Sequence, residues 1–218
     1  MKRFPCVNNF ADIGGGNGFQ INFLSKQIKD KIFYLIEPGY EGCLNAKERG
    51  VENVYNIEFQ KFPFQEMNIG GVGLFDVLEH IDRDKEFLVQ LKSFLGKGKY
   101  IYLTTPAHMG LWSEDDKHAG HFRRYTLSSF ENLSVACDMK LVYSSYFFTY
   151  LPIPTYLIRS LPSKLGIRKK WKQQVATKEH KLGPYVKRLL SPFNSFELRK
   201  LENSSNRFGA SCIVVYQT

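Results

Sequence analysis

The sequence predicts an α/β fold built on a doubly wound, mostly parallel sheet. Two observations carry this. Short β-forming runs alternate with helix-like segments along most of the chain, and the first run ends in a glycine cluster, Gly14-Gly15-Gly16-Asn17-Gly18. Alternation of that kind places helices on both faces of a parallel sheet. At 218 residues the chain is long enough for one α/β domain with a full core and short for two, so residues 1–218 are read as a single domain.

Asn9 to Ile13 reads as a short strand entering the glycine turn. Gly18 to Ile28 carries Phe19, Ile21, Phe23, Leu24 and Ile28 at helix-like spacing. Ile32 to Ile36 is a β-forming run closed by Glu37-Pro38-Gly39, and Tyr40 to Arg49 reads as a helix ending at Gly50. Val54 to Ile57 is a third strand. Val72 to Phe75 is a fourth, whose length Gly70, Gly71 and Gly73 leave open. Asp84 to Leu95 is amphipathic, with Phe87, Leu88, Leu91 and Leu95 apolar and Gly96 just past its end. Tyr100 to Leu103 is a fifth strand, expected to stop at Thr104-Thr105-Pro106. After a long polar loop, Thr126 or Ser128 can cap a helix running through Cys137. Leu141 to Phe148 and Ala210 to Tyr216 complete seven strands. The roughly 60 residues between the last two exceed any simple connection and are expected to carry helices of their own.

The net charge of +9 is concentrated: residues 159–200 hold twelve Lys/Arg against Glu179 and Glu197, a net +10, so the remainder is about −1. No apolar run is long enough to span a membrane, and the charged N-terminus shows no signal-peptide core. Cys6, Cys43, Cys137 and Cys212 are scattered without metal spacing, which suits reduced thiols in a cytoplasmic protein.

The glycine cluster is the strongest local signal, because a glycine turn at the end of a strand lets backbone approach a ligand closely. A dinucleotide fold wants G-x-G-x-x-G, which seats a pyrophosphate on a helix N-terminus. Here the pattern is Gly14-x-Gly16-x-Gly18, with Asp12 two residues before it. That arrangement suits a ligand with an ammonium group and no phosphate. Glu37 ends the second strand 19 residues after Gly18, where a carboxylate can accept both hydroxyls of a ribose.

On these residues the chain resembles the class I S-adenosylmethionine (SAM)-dependent methyltransferase superfamily. Asp12 to Gly18 is similar to its first motif and Ile36-Glu37-Pro38 to its second. Glu58 to Phe64 is similar to the third-strand segment, whose first two residues, here Glu58 and Phe59, flank the adenine in that family. Leu74 to Ile81 is similar to the motif after the fourth strand, which places Phe75 and Asp76 beside the methionine part of SAM. The resemblance implies a Rossmann-like sheet of seven strands with an antiparallel last strand, SAM as cofactor, and Asp12, Gly14, Gly16, Gly18, Glu37, Glu58, Phe59, Phe75 and Asp76 around it. That family usually has a helical N-terminal extension over the cofactor. Here the first strand begins near residue 9, which leaves a truncated chain or a lid supplied from elsewhere as the two expectations.

Methyl transfer demands mainly that nucleophile and methyl be held in line, with a base only where the acceptor must lose a proton. Two clusters are candidates. Asp76, Glu79 and His80 share one face of a helical turn and offer a divalent-metal donor set. Some ubiquinone-synthesis O-methyltransferases of the superfamily carry a similar acid-x-x-acid-His run. The preferred reading has no metal, with Asp76 touching SAM while Glu79 and His80 pin the following loop; His80 as a base is an alternative. The second cluster is Gly120-His121-Phe122-Arg123-Arg124-Tyr125-Thr126, preceded by Trp112, Ser113 and Asp116, in a long loop at the edge where an acceptor enters. A bacterial subgroup of the superfamily carries a similar GHxRRYT element. His121 can take a proton, and Arg123 or Arg124 can hold an acidic or phosphorylated substrate bidentately or pair with Asp115 or Asp116 to fold the loop.

Residues 149–207 are read as a basic helical insertion or lid before the last strand. Tyr143 to Ile158 has no charged residue and many aromatics, and the basic segment, with Arg168-Lys169-Lys170-Trp171-Lys172, follows it. This suits an ordinary lid, a lid over an acidic or lipid-linked substrate, or contact with an anionic membrane at its inner face. Nucleic acid, through Trp171 and Tyr185, is the weaker reading. The function expected is methyl transfer from SAM to oxygen of a small or lipid- or sugar-linked acceptor. A SAM-binding module without transfer activity and an NAD-dependent oxidoreductase are the alternatives.

Overall fold

The computed structural model describes residues 9–166 and 184–218. The 168–172 basic run, Cys6 and the side chain of Tyr185 lie outside what it describes. Seven strands form one sheet: β1 (Asn9–Ile13), β2 (Phe33–Ile36), β3 (Asn53–Tyr55), β4 (Ile69–Phe75), β5 (Tyr100–Pro106), β6 (Lys140–Phe147) and β7 (Ser211–Gln217), in the order β3-β2-β1-β4-β5-β7-β6. The first five pair in parallel. β7 inserts between β5 and β6 and runs antiparallel to both.

The two faces follow from the period-2 alternation of strand side chains. On one face Ala11, Ile13, Tyr34, Ile36, Val72, Leu74, Ile101, Leu103, Val214 and Tyr216 meet Leu88, Leu91 and Leu95 of α3 (Asp84–Leu95) and Phe130 of α5 (Leu127–Ala136). On the other, Phe10, Phe33, Leu35, Tyr102 and Val215 meet Ile21 of α1 (Phe19–Gln27) and Ala46 of α2 (Tyr40–Glu48). Helices on both faces complete the doubly wound architecture.

β4 is a full seven-residue strand despite its glycines. At Gly73 the ring of Phe75 fills the space a Cβ would need, 2.5 Å away, so the glycine makes room for an aromatic two residues on along the same face. β5 runs through Thr104 and Thr105 to Pro106, past the expected stop. β7 pairs with it to that point, with Pro106 opposite Ser211, and proline is tolerated at a strand's end because the ladder asks little of its missing N–H there. Thr126 caps α5 in a reciprocal capping box with Ser129.

Between β6 and β7 lie α6 (Pro152–Thr155), a π-turn (Tyr156–Ser160), α7 (Leu161–Lys164) and α8 (Pro184–Asn203). Glu197 of α8 is buried and accepts hydrogen bonds from the Phe148 and Thr149 amides, both at 2.9 Å. This ties α8 to the end of β6. Cys43, Cys137 and Cys212 are buried free thiols. Among the described residues no helix is long and apolar enough to cross a membrane.

Leu91 is fully buried between α3 and the sheet. Leu91→Ala is expected to lower unfolding stability by about 2–5 kcal/mol, read from the urea midpoint.

Candidate functional site

Strand order reverses between β1 and β4, which leaves a crevice at their carboxyl ends where doubly wound sheets bind ligands. β1 delivers the chain into the glycine turn. Gly14, Gly16 and Gly18 have φ of 68°, 52° and 71°, left-handed values that glycine adopts without steric cost. The Gly14 amide donates to Ile36 O (2.8 Å) and the Gly18 amide to Gly15 O (2.9 Å), which fixes the turn. Two of its glycines are excluded from carrying side chains by packing: a Cβ at Gly15 would collide with the Asp12 carboxylate, and one at Gly18 would lie 2.8 Å from Ala46. Gly16 differs, because nothing stands within 4 Å of where its Cβ would be. Its φ calls for glycine, and its open side faces space.

Asp12 lies at the floor of this turn, fully buried, and neither carboxylate oxygen has a hydrogen-bond partner. Burial first, and the charge of Glu37 second, push its carboxyl up to about 8. A buried carboxylate without donors takes a proton rather than stay charged. Glu37 is half-buried at the end of β2. Its Oε2 accepts from the Gly16 amide (2.9 Å) and its Oε1 from the Gly39 amide (2.7 Å), so it clasps the glycine turn to the start of α2. Each of those oxygens keeps a further lone pair.

The opposite wall comes from the turn after β4. Asp76 sits at φ 56°, a left-handed position that aspartate tolerates better than most residues. Its amide donates to Thr104 O (2.9 Å), and its Oδ1 accepts from the Thr104 hydroxyl (3.2 Å). Solvent reaches it, yet the crevice encloses it enough for burial to raise its carboxyl. Glu79, in the short 3-10 turn Leu78–His80, is fully buried, and its carboxylate accepts from no other residue. Burial and then the charge of Asp76 push it up to about 8.

The polar loop after β5 folds over this turn. The Phe122 amide donates to Glu79 O (2.8 Å), and the rings of His80 and His121 meet edge to face, 4.6 Å between centroids. His80 is pushed down from its ordinary value by burial and by His121, against hydrogen bonds to the backbone at Gly120 and Ala119. At the centre is Asp116. Burial alone would raise its carboxyl, but His121 and Arg124 more than reverse this and hold it below the usual range. His121 Nδ1 lies 3.0 Å from Oδ1, Arg124 reaches both oxygens at 2.7 and 3.1 Å, and the Ser113 amide donates at 2.9 Å. Ser113 and Asp116 form a capping box on α4 (Glu114–His118).

Several sequence expectations are thereby relocated. Arg124 is spent on Asp116 and on Ala107 O (3.2 Å), and Arg123 on Asp84 (2.8 Å) and Asp82. Both guanidiniums fold the loop rather than face an acceptor, because the carboxylates within reach belong to the chain itself. Phe59 is buried, edge to face with Phe87 and Phe94. Glu58 is exposed just before it. Phe75 stacks on Phe10, 6.5 Å between centroids, as part of the packed face under α1 and α2. Glu79 and His80 converge with His121, from the loop after β5. Thr104 joins the site without a sequence signal of its own: its hydroxyl steadies Asp76.

Two outcomes follow. Asp12 and Glu79 hold protons in the folded chain that the unfolded chain releases above about pH 4, so stability falls as pH rises from about 4 to about 8 and levels beyond. Asp12→Asn removes one of these titrations, so its urea midpoint should fall less than the parent's between pH 5 and pH 8; equal falls would refute the assignment. Arg124→Ala strips a buried carboxylate of its bidentate partner and should cost about 3–5 kcal/mol. Arg123→Ala, with more exposed partners, should cost about 1 kcal/mol or less by the same denaturation assay.

Neither a family model nor a curated protein sequence matches the chain. Solved structures do. A SAM-dependent methyltransferase from Archaeoglobus fulgidus superposes with a TM-score of 0.57 at 16% identity, covering 97% of this chain and 86% of that one. The plantazolicin methyltransferase BpumL, solved with S-adenosylhomocysteine (SAH), gives 0.57 at 15% identity over 97% and 76%. The (4+2)-cyclase SpnF gives 0.57 at 10% identity over 97% and 76%. With its strand order, its antiparallel β7 and its crevice beside the glycine turn, this chain has the Rossmann-like fold of the class I SAM-dependent methyltransferases.

Proposed function

We propose that this chain is a SAM-dependent methyltransferase that passes a methyl group to an oxygen of a small acceptor, free or carried on a lipid or sugar. The observation that carries this is the pairing of a buried, donorless Asp12 carboxylate with the open side of Gly16. SAM fits that pairing: its ammonium supplies the cation Asp12 lacks, and it brings no phosphate, for which the turn has no G-x-G-x-x-G seat. Glu37 holds spare lone pairs for ribose hydroxyls, and Asp76 flanks the methionine end. Bound SAM supplies a methyl already activated by its sulfonium, so the chain's task is alignment.

The acceptor side is the wall formed by Asp76, His80 and His121. Asp116 fixes the ring of His121 beside His80, and the two imidazoles line the side from which an acceptor would approach. Arg124 acts one step back, by holding Asp116.

Residues 149–207 act as the lid of this side. Ser160 Oγ donates to Leu111 O (2.7 Å), Ser163 Oγ accepts from the Glu114 amide (3.0 Å), and Lys164 donates to Gly110 O (3.2 Å). These bonds dock α6 to α7 on the loop that carries His121. Ile153, Leu157, Ile158 and Leu165 stay exposed on that lid beside Arg159 and Lys164. A cavity of about 700 Å³ opens among Phe148, Tyr150, Leu151, Pro154 and Ile158. Apolar surface mixed with positive charge suits an amphiphilic acceptor and contact of a cytoplasmic protein with the inner face of an anionic membrane.

The likeness to a cyclase favours one second reading, a SAM-binding fold that transfers no methyl. Release of SAH with an acceptor extract separates the two. Calorimetry should show binding of SAM and not of NAD; NAD binding without SAM binding overturns the reading. Gly16→Val places a side chain in the ligand's path and should abolish SAM binding, and unchanged affinity in a folded variant counts against it. Anionic liposomes should sediment the protein at low salt and release it at high salt; no binding at low salt removes the membrane contact.

A further inference from the structure

Glu79, His80 and His121 bring one ligand atom each within 4.8 Å of one another. They come from two segments about 40 residues apart, the turn after β4 and the loop after β5, so the cluster is a product of folding. Glu79 is fully buried and its carboxylate accepts from no other residue, an expensive arrangement unless a cation joins it. One imidazole is already held from outside the cluster: His121 Nδ1 is engaged by Asp116 at 3.0 Å. Histidines that ligate metals are commonly oriented in this way, by a carboxylate or a carbonyl on the far nitrogen.

We propose that Glu79, His80 and His121 form a binding site for a divalent transition-metal ion. Ligands with bonds of about 2.1 Å lie roughly 3.4 Å apart around a tetrahedral ion, so small side-chain rotations close the cluster on it. Two imidazoles and one carboxylate suit zinc, cobalt, manganese or iron rather than magnesium or calcium, which prefer oxygen donors. Three protein ligands leave a position open. That position accepts an oxygen donor, which makes the acceptor one with a hydroxyl or carboxylate able to ligate. This consequence for the acceptor, and not the metal site itself, rests on the methyltransferase reading.

The test uses the full chain stripped with chelator. Titration with Co²⁺ is followed by visible absorption, and titration with Zn²⁺ by calorimetry. Expected are one ion per chain, the ligand-field bands of four- or five-coordinate cobalt, and a rise in Tm with the ion present. Glu79→Gln, His80→Ala and His121→Ala should each weaken Co²⁺ binding by more than about 100-fold, beyond what loss of an outer-shell partner costs. His80 is exposed, so its variant keeps the test alive if the buried Glu79 variant does not fold. Absence of ligand-field bands, or full Co²⁺ affinity in folded variants, overturns the site. SAM titration of the same metal-free protein keeps the two readings apart. SAM binding without Co²⁺ binding overturns the metal site alone, and Co²⁺ binding without SAM binding overturns the methyltransferase reading alone.

Discussion

Two fully buried carboxylates that accept no hydrogen bond from another residue, Asp12 at the end of β1 and Glu79 just past β4, set the terms for the crevice between those strands. Folding a carboxylate away from water without donors is costly, and the chain limits that cost by keeping both protonated up to about pH 8. Both stand at the point where strand order reverses, one on each wall. A sheet that needed only stability would place apolar residues there, as it does two positions back with Phe10 and throughout Val72 to Leu74. Along β1 and β4 the departure from a dry core sits at their carboxyl ends.

The two walls are built by different means. The Asp12 wall is local: a strand, a turn with three left-handed glycines, and Glu37 clasping that turn to the next helix through two amide hydrogen bonds. The Glu79 wall is assembled over distance. Its loop reaches back from beyond β5 and is held by Asp116, which gathers Arg124, His121 and Ser113 around a single carboxylate. Arg123 and Tyr125 anchor the same loop a second time through Asp84, at 2.8 and 2.7 Å. So many interactions in one loop leave the His121 ring little freedom, and that is the condition for presenting a defined nitrogen to the crevice.

The segment between β6 and β7 extends this division. Hydrogen bonds tie Ser160, Ser163 and Lys164 to Leu111, Glu114 and Gly110, all in the loop after β5 that also carries His121, while Glu197 fastens α8 to the end of β6. On the reading proposed above, this lets the acceptor side vary while the cofactor side stays fixed.

By itself the sequence determined what short-range physics controls. The alternation of β-forming runs with amphipathic spacing placed all seven strands, and Asp84 to Leu95 was legible to its ends because charge, apolar period and Gly96 agree. The glycine turn was legible because left-handed backbone asks for glycine wherever it occurs. Only the tertiary structure decided matters that depend on partners far along the chain. Phe59 meets Phe87 and Phe94, residues about 30 positions further along the chain, in an aromatic cluster that no local pattern announces. β5 continues to Pro106 because β7, over 100 residues later, pairs with it. Arg123 and Arg124 look identical in the sequence and meet different carboxylates, Asp84 and Asp116, according to which side of the loop each leaves. The convergence of His121 on Glu79 and His80 has no local signal at all, because spacing on one helix or strand says nothing of what a loop from another strand brings beside it.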